Sequence, residues 1–295
     1  MKSHLHFIRE NLVYSNIFVA FCVLSLYKVS EILLVIPANI DISIFIFFST
    51  LTAYNLSKVP ILYKTKYSSG LVKWIISNKK IFAFITILSA CICTIYIFLL
   101  NIFFISLPII IISLFYIYSP AQLINFFIRN KKIKMSSLLF FSFRDVPLLK
   151  IFIIAFSWTY LTIIIPVIVH NISFDSNLIL NIIVRFLFVL AITIPFDIRD
   201  LKFDKVITLP KYLGVKKSKI LAYIILLICE LIILYMFFEN DLFVFNFLSL
   251  FITFEISSVF IFYTSINKNN FYFSFYIEGL SIFMFLVVYL SNIYL

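Results

Sequence analysis

Apolar runs of about 18 to 25 residues, separated by short polar stretches, follow one another along the whole 295-residue chain. Period-two alternation is nearly absent within them, so they read as helices rather than as strands of a barrel. At about 1.5 Å of rise per residue each run can cross a bilayer. Spans are predicted at about 11 to 36, 41 to 63, 80 to 101, 103 to 126, 148 to 169, 178 to 198, 218 to 238, 242 to 266 and 270 to 293. The expected fold is all-α, a polytopic membrane bundle of about nine helices that takes up residues 1 to 295 as a single domain.

The polar stretches differ in charge from one to the next. Lys64, Lys66, Lys73, Lys79 and Lys80 follow the second span, and Arg129, Lys131, Lys132 and Lys134 follow the fourth. Lys202, Lys205, Lys211, Lys216, Lys217 and Lys219 follow the sixth, and Lys268 follows the eighth. The alternate connections carry Asp41, Asp175, Glu239 and Asp241. The positive-inside rule therefore predicts a cytoplasmic N-terminus and a C-terminus on the other side. The longer basic connections exceed the usual loop length and are expected to hold short helices.

Composition agrees with a membrane protein. Hydrophobic residues make up 63% of the chain and charged ones 13%, with a mean hydropathy of +1.13. The formal charge of +11 comes from clusters between spans rather than from one basic face, which argues against a nucleic-acid partner. Cys22, Cys91, Cys93 and Cys229 lie in apolar stretches without paired metal-site spacing and read as small buried hydrophobes. No cleavage signature follows the first apolar run, so it reads as a retained helix. The expected location is the cytoplasmic membrane of a prokaryote, with the chain crossing it many times.

Candidate chemistry is concentrated at the end of the sixth span, in Pro195-Phe196-Asp197-Ile198-Arg199-Asp200-Leu201-Lys202-Phe203-Asp204-Lys205. Asp197, Asp200 and Asp204 are spaced i, i+3 and i+7, which keeps them within about 60° of one another around a helix. Three carboxylates on one face repel unless a cation or protons neutralise them. A hard divalent ion suits them, and Mg²⁺ bound by carboxylates commonly also takes phosphate oxygens, so a diphosphate substrate fits. A solvated helix end pairing with Arg199, Lys202 and Lys205 fits the spacing equally well.

The run from Asp197 to Gly214, DIRDLKFDKVITLPKYLG, resembles the second aspartate-rich motif of the UbiA superfamily of intramembrane prenyltransferases. Asp197, Ile198, Arg199, Asp200, Asp204, Thr208, Leu209, Pro210, Leu213 and Gly214 all match its pattern. The resemblance implies nine helices and a cytoplasm-facing site. It also implies Mg²⁺-dependent transfer of an isoprenoid group from a prenyl diphosphate to an aromatic or other lipophilic acceptor. On this basis Asp197, Asp200 and Asp204 are the expected catalytic and metal-binding residues.

The family's first motif, N-x-x-x-D-x-x-x-D, is altered here. Asn55 is followed at its spacings by Val59 and Tyr63, and Lys58 supplies a cation instead. Asn55, Lys58, Arg144 and Lys205 are the expected diphosphate-binding residues, with Lys150 a further candidate. A snorkelling interfacial lysine is the plainer reading of Lys58.

Other charges lie within or near the spans. Lys28 and Glu31 can pair at i, i+3, while Arg185, Glu230, Glu255 and Glu278 form no visible motif. No histidine set suggests a metal or a catalytic triad. The expectation is therefore a prenyltransferase. A non-catalytic isoprenoid-binding or partner-binding relative is the alternative, and a transporter is the least favoured reading.

Overall fold

The computed structural model describes residues 9–59, 70–119, 142–143, 146–201 and 206–293, and the description below concerns these residues. They are helical throughout, with no strand among them. A π-helical turn, Arg9–Val13, leads into α1, Ile17–Leu33, and α2, Ile40–Leu56. The short α3, Gly70–Ser77, precedes α4, Lys79–Leu99, and α5, Phe103–Ile117. Helix α6, Leu149–Val169, is followed by α7, Ser176–Asp200, and the short α8, Leu209–Leu213. Helices α9, Val215–Phe238, α10, Val244–Phe262, and α11, Tyr272–Ile293, complete the bundle.

A helix lies in each segment where the apolar pattern predicts one, but the helices are unequal. Six of them, α4, α6, α7, α9, α10 and α11, are long and apolar enough to cross a membrane. Helices α2 and α5 are apolar but shorter, and α1 carries Lys28 and Glu31. The described residues thus contain six full-length spans where the pattern suggested about nine. The protein is an integral, multi-pass membrane protein.

Local chemistry sets the helix ends. The Asn39 side chain caps α2 by accepting from the backbone N–H groups of Asp41 and Ile42, and Asp175 caps α7 through Leu178 at 2.8 Å. The whole sequence has three glycines, and asparagine supplies left-handed residues at several helix ends. Asn101, Asn171 and Asn240, at φ 53°, 53° and 62°, follow α4, α6 and α9.

The long helices pack on their chain neighbours in antiparallel order, and α11 closes back against α1. Contact is extensive between α1 and α2, α2 and α4, α6 and α7, and α7 and α9, and weakest around α5. Buried Tyr27, Phe45, Phe188 and Phe254 fill the centre. Arg185, itself buried, ties three helices together: its guanidinium donates to the Leu26 carbonyl on α1 and to Thr162 Oγ1 on α6 at 3.2 Å. Lys28 and Glu31 pair with each other at 2.7 Å, as their spacing predicts.

This alternation sorts the charges. The end of the bundle reached by Leu56, Leu149, Asp200, Val215 and Tyr272 carries Lys58, Lys73, Lys79, Lys80, Lys150, Arg199, Lys211, Lys216, Lys217 and Lys268. The opposite end carries Asp41, Asp175, Glu239 and Asp241.

Candidate functional site

The basic end holds a cluster of charges inside the bundle. Pro195, within α7, precedes the last helical turn, which carries Asp197, Arg199 and Asp200. Lys150, in the first turn of α6, reaches both carboxylates, at 3.1 Å from Asp197 and 3.3 Å from Asp200. The Arg199 guanidinium grips Asp200 through Nε at 2.7 Å and Nη2 at 2.9 Å. Arg199 also lies over the rings of Phe196 and Phe273, 5.0 and 5.8 Å from their centroids, which joins α7 to the start of α11. Two acids are therefore held by two cations in a setting shielded from water.

The helix α2 side is built differently. Asn16, in the left-handed conformation at φ 65° just before α1, donates its amide to Asn55 Oδ1 at 2.6 Å. Lys58 in turn donates to Asn16 Oδ1. Asn55 is fully buried, and among the described residues its Nδ2 has no hydrogen-bond partner. Burial pushes the Lys58 ammonium down from its ordinary 10.5 to about 8; Glu278 pulls the other way and Arg199 adds to the lowering. Glu278 thus faces both Lys58 and Arg199 from α11.

Glu278 sits where a π-helical turn, Tyr272–Ile277, gives way to regular helix. Its neighbour Gly279 packs beside Phe18 of α1, which brings this part of α11 near Asn16 and Lys58. Tyr54, Lys58 and Glu278 all lie deep in the bundle yet keep some accessible surface, as side chains facing an internal crevice do.

A cavity of about 170 Å³ adjoins this crevice between α2, α5 and α6. Its walls are mainly apolar and include Thr50, Tyr54, Ile109, Tyr116, Trp158 and Leu161. Tyr54, within hydrogen-bonding reach of the Trp158 indole, lines the cavity and also faces Glu278. Ser57, on the cavity wall, directly precedes Lys58. An apolar chamber and a charged pocket therefore meet at Tyr54, Ser57 and Lys58. That arrangement suits an amphiphile with an anionic head and a hydrocarbon tail.

Of the expected site residues, Asp197 and Asp200 come together with Lys150, while Asn55 and Lys58 meet through Asn16. Asp204, Lys205 and Arg144 lie outside the described residues. The expected face of three carboxylates is thus described for two. Asn16 left no signal in the sequence. Glu278 signalled itself only as a charge in an apolar run.

No family model matches the chain, and no curated protein matches it. Solved structures do. A UbiA homologue from Archaeoglobus fulgidus superposes with a TM-score of 0.65 at 12% identity, over 96% of this chain and 98% of that one. The chain has the UbiA fold. The same homologue bound to GPP and Mg²⁺ gives 0.61 at 11% identity, over 95% and 99% of the two chains. A digeranylgeranylglyceryl phosphate synthase structure gives 0.53 at 15% identity over the full length of both. The likeness spans nearly the whole chain and so covers both the charged pocket and the apolar chamber.

The donor chemistry bears on the metal that the resemblance implies. Asp197 and Asp200 offer hard oxygen donors that share one ammonium, a pairing that fits a single Mg²⁺. The α2 side offers an amide and an ammonium instead. Among the described residues no group of three or more His, Cys, Asp or Glu gathers to hold a metal. The set suits one metal on the α7 side and none on the α2 side.

Proposed function

We propose that the protein is a membrane prenyltransferase that moves an isoprenoid group from a prenyl diphosphate to a lipophilic acceptor, with the reaction facing the cytoplasm. The observation carrying this reading is the junction of an apolar chamber with a pocket containing three cations, Lys58, Lys150 and Arg199. The UbiA homologue bound to GPP and Mg²⁺ shares the fold and supports the same ligand class.

In this reading the hydrocarbon tail lies against Tyr54, Trp158 and Leu161, where water is excluded from the reacting carbon. Lys58 and Arg199 bind the diphosphate and stabilise the negative charge that builds on it as its C–O bond breaks. Asn55 donates its free amide to the same group. Asp197 and Asp200 would hold Mg²⁺, whose charge adds to that stabilisation. Lys150 keeps the two carboxylates together. Asp204, Lys205 and Arg144 complete the site in this proposal. The C–O bond then breaks at the boundary near Tyr54, the diphosphate stays with Lys58 and Arg199, and the acceptor forms its new bond to the freed carbon in the chamber with loss of a proton.

A second reading is favoured by one observation: Asp197 and Asp200 are already closed into ion pairs, and the α2 side lacks carboxylates. Such a site could hold an isoprenoid diphosphate without converting it. One experiment separates the two readings. The purified protein is incubated with Mg²⁺, membrane extract and labelled prenyl diphosphates of several chain lengths, and both diphosphate release and prenylated products are followed by mass spectrometry. Product formation that depends on Asp200 supports the transferase, while binding with no release supports the non-catalytic reading.

A further inference from the structure

Helix α10 presents a lipid-facing stripe of Leu248, Ile252, Val259 and Phe262, and Glu255 stands exposed in the middle of it. The opposite face of α10, with Leu250, Phe254 and Ile261, is buried, so the stripe is the outer face of the bundle. Glu255 lies seven residues from Phe262 and eleven from Val244, about 10 and 16 Å from the two helix ends. That is too deep for a short glutamate side chain to snorkel to water.

A second carboxylate shares this position. Glu230, partly exposed on the neighbouring α9, lies within Coulombic range of Glu255, beside exposed Leu227, Leu231 and Leu234. Among the described residues neither glutamate has an ion pair or a side-chain hydrogen bond. The nearest cation on α9, Lys219, is about 16 Å along the helix and donates to the Phe262 carbonyl at 2.7 Å.

A single carboxylate facing acyl chains is already costly, and two that repel each other are costlier. The bundle's own internal charges are handled otherwise: Arg185 is braced by oxygen acceptors, and Lys28 is paired. We propose that the α9–α10 face is an interaction surface for a partner transmembrane helix carrying a lysine or arginine near its midpoint, which pairs with Glu230 and Glu255. Charge complementarity selects this occupant over a second copy, since a symmetric self-contact would bring further carboxylates to the same place. The inference stands on the lipid face alone and does not depend on the reading of the charged pocket.

The test uses the full chain, fluorescently labelled and reconstituted in phosphatidylcholine vesicles, with labelled leucine-rich transmembrane peptides whose central residue is Lys, Leu or Glu. Energy transfer should show at least a fivefold preference for the Lys peptide over the Leu and Glu peptides. The double variant E230Q/E255Q should lose that preference while keeping its helical content and its elution volume in detergent. Equal transfer to the Lys and Leu peptides overturns the proposal, as does a preference that persists in the double variant. Glu255-dependent transfer between two differently labelled copies of the protein, without a Lys-peptide preference, overturns it in favour of self-association.

Discussion

Helices α2 and α7 end at the same pocket but bring opposite chemistry to it. The α7 end supplies acids, Asp197 and Asp200, that are neutralised on the spot by Lys150 and Arg199. The α2 end supplies an amide and an ammonium, held in place by Asn16. In the proposed reaction one side would attract a metal and the other the anion directly. An ammonium buried next to Arg199 is costly unless a carboxylate faces it, and Glu278 faces it from α11. On the proposed reading, the difference divides the binding of a diphosphate between carboxylates that would hold a cation and a lysine that would stand in for one.

The largest expected effect breaks the α7 side. Asp200→Asn should lower Mg²⁺-dependent release of diphosphate by at least about a hundredfold, on the order of 3 kcal/mol in the transition state. Helical content in detergent should change little, because Lys150 keeps Asp197 as a partner and Arg199 still faces Glu278. Turnover within a few-fold of the parent protein would remove Asp200 from the chemistry.

Removing Lys58 tests the α2 side. Lys58→Met should weaken binding of a prenyl diphosphate by about tenfold, as expected for the loss of one charge-assisted contact. The measurement is equilibrium binding of a stable thiolodiphosphate analogue with and without Mg²⁺. The loss should be larger without Mg²⁺, since the ammonium then carries more of the anion's charge. An unchanged affinity under both conditions would make Lys58 a structural partner of Asn16.

The same lysine predicts a pH dependence. Burial pushes its pKa down to about 8, well below the ordinary value. Only the protonated form attracts the diphosphate, so affinity should be highest below this point and fall as pH rises through it. Lys58→Arg should flatten the profile between pH about 7 and 9, because a guanidinium stays charged there.

Much of this was legible in the sequence, and the reasons are physical. Apolar runs about as long as a bilayer is thick mark their helices whatever the neighbours do, so each predicted apolar run holds a described helix, while the short α3 and α8 lie in the basic connections between runs. The acids at the end of α7 were legible because their spacing is a property of one helix. Whether they sit free for a metal or closed in ion pairs was not, because Lys150 arrives from α6. Asn16 and Glu278 were hidden for the same reason. Asn16 acts through a left-handed backbone turn and through contacts with residues 39 and 42 positions away. Glu278 faces the pocket after a π-helical turn, whose extra residue per turn shifts the register that a regular helical pattern would assign. Regular α2 ends at Leu56, short of its predicted span, and Ser57 stays in the right-handed region as the turn tightens, with the Lys58 N–H bonded to the Asn55 carbonyl at 2.9 Å.

The smallest expected effect links the two sides through Glu278. Its carboxylate raises the pKa of Lys58, whereas burial and Arg199 lower it. Glu278→Gln removes the carboxylate that favours the ammonium, so the midpoint of the pH dependence of diphosphate binding should move below that of the parent protein. At pH values where Glu278 is ionised and Lys58 is still charged in both proteins, the variant should bind inorganic diphosphate more tightly, since a like charge no longer faces the incoming anion. The two shifts oppose each other, and the binding curves of parent and variant should therefore cross as pH rises. Titration of labelled diphosphate against both proteins between pH about 6 and 9 measures this directly. Parallel curves that never cross would mean that Glu278 does not act on the Lys58 charge, and the two helix ends would then have to be treated as independent sites.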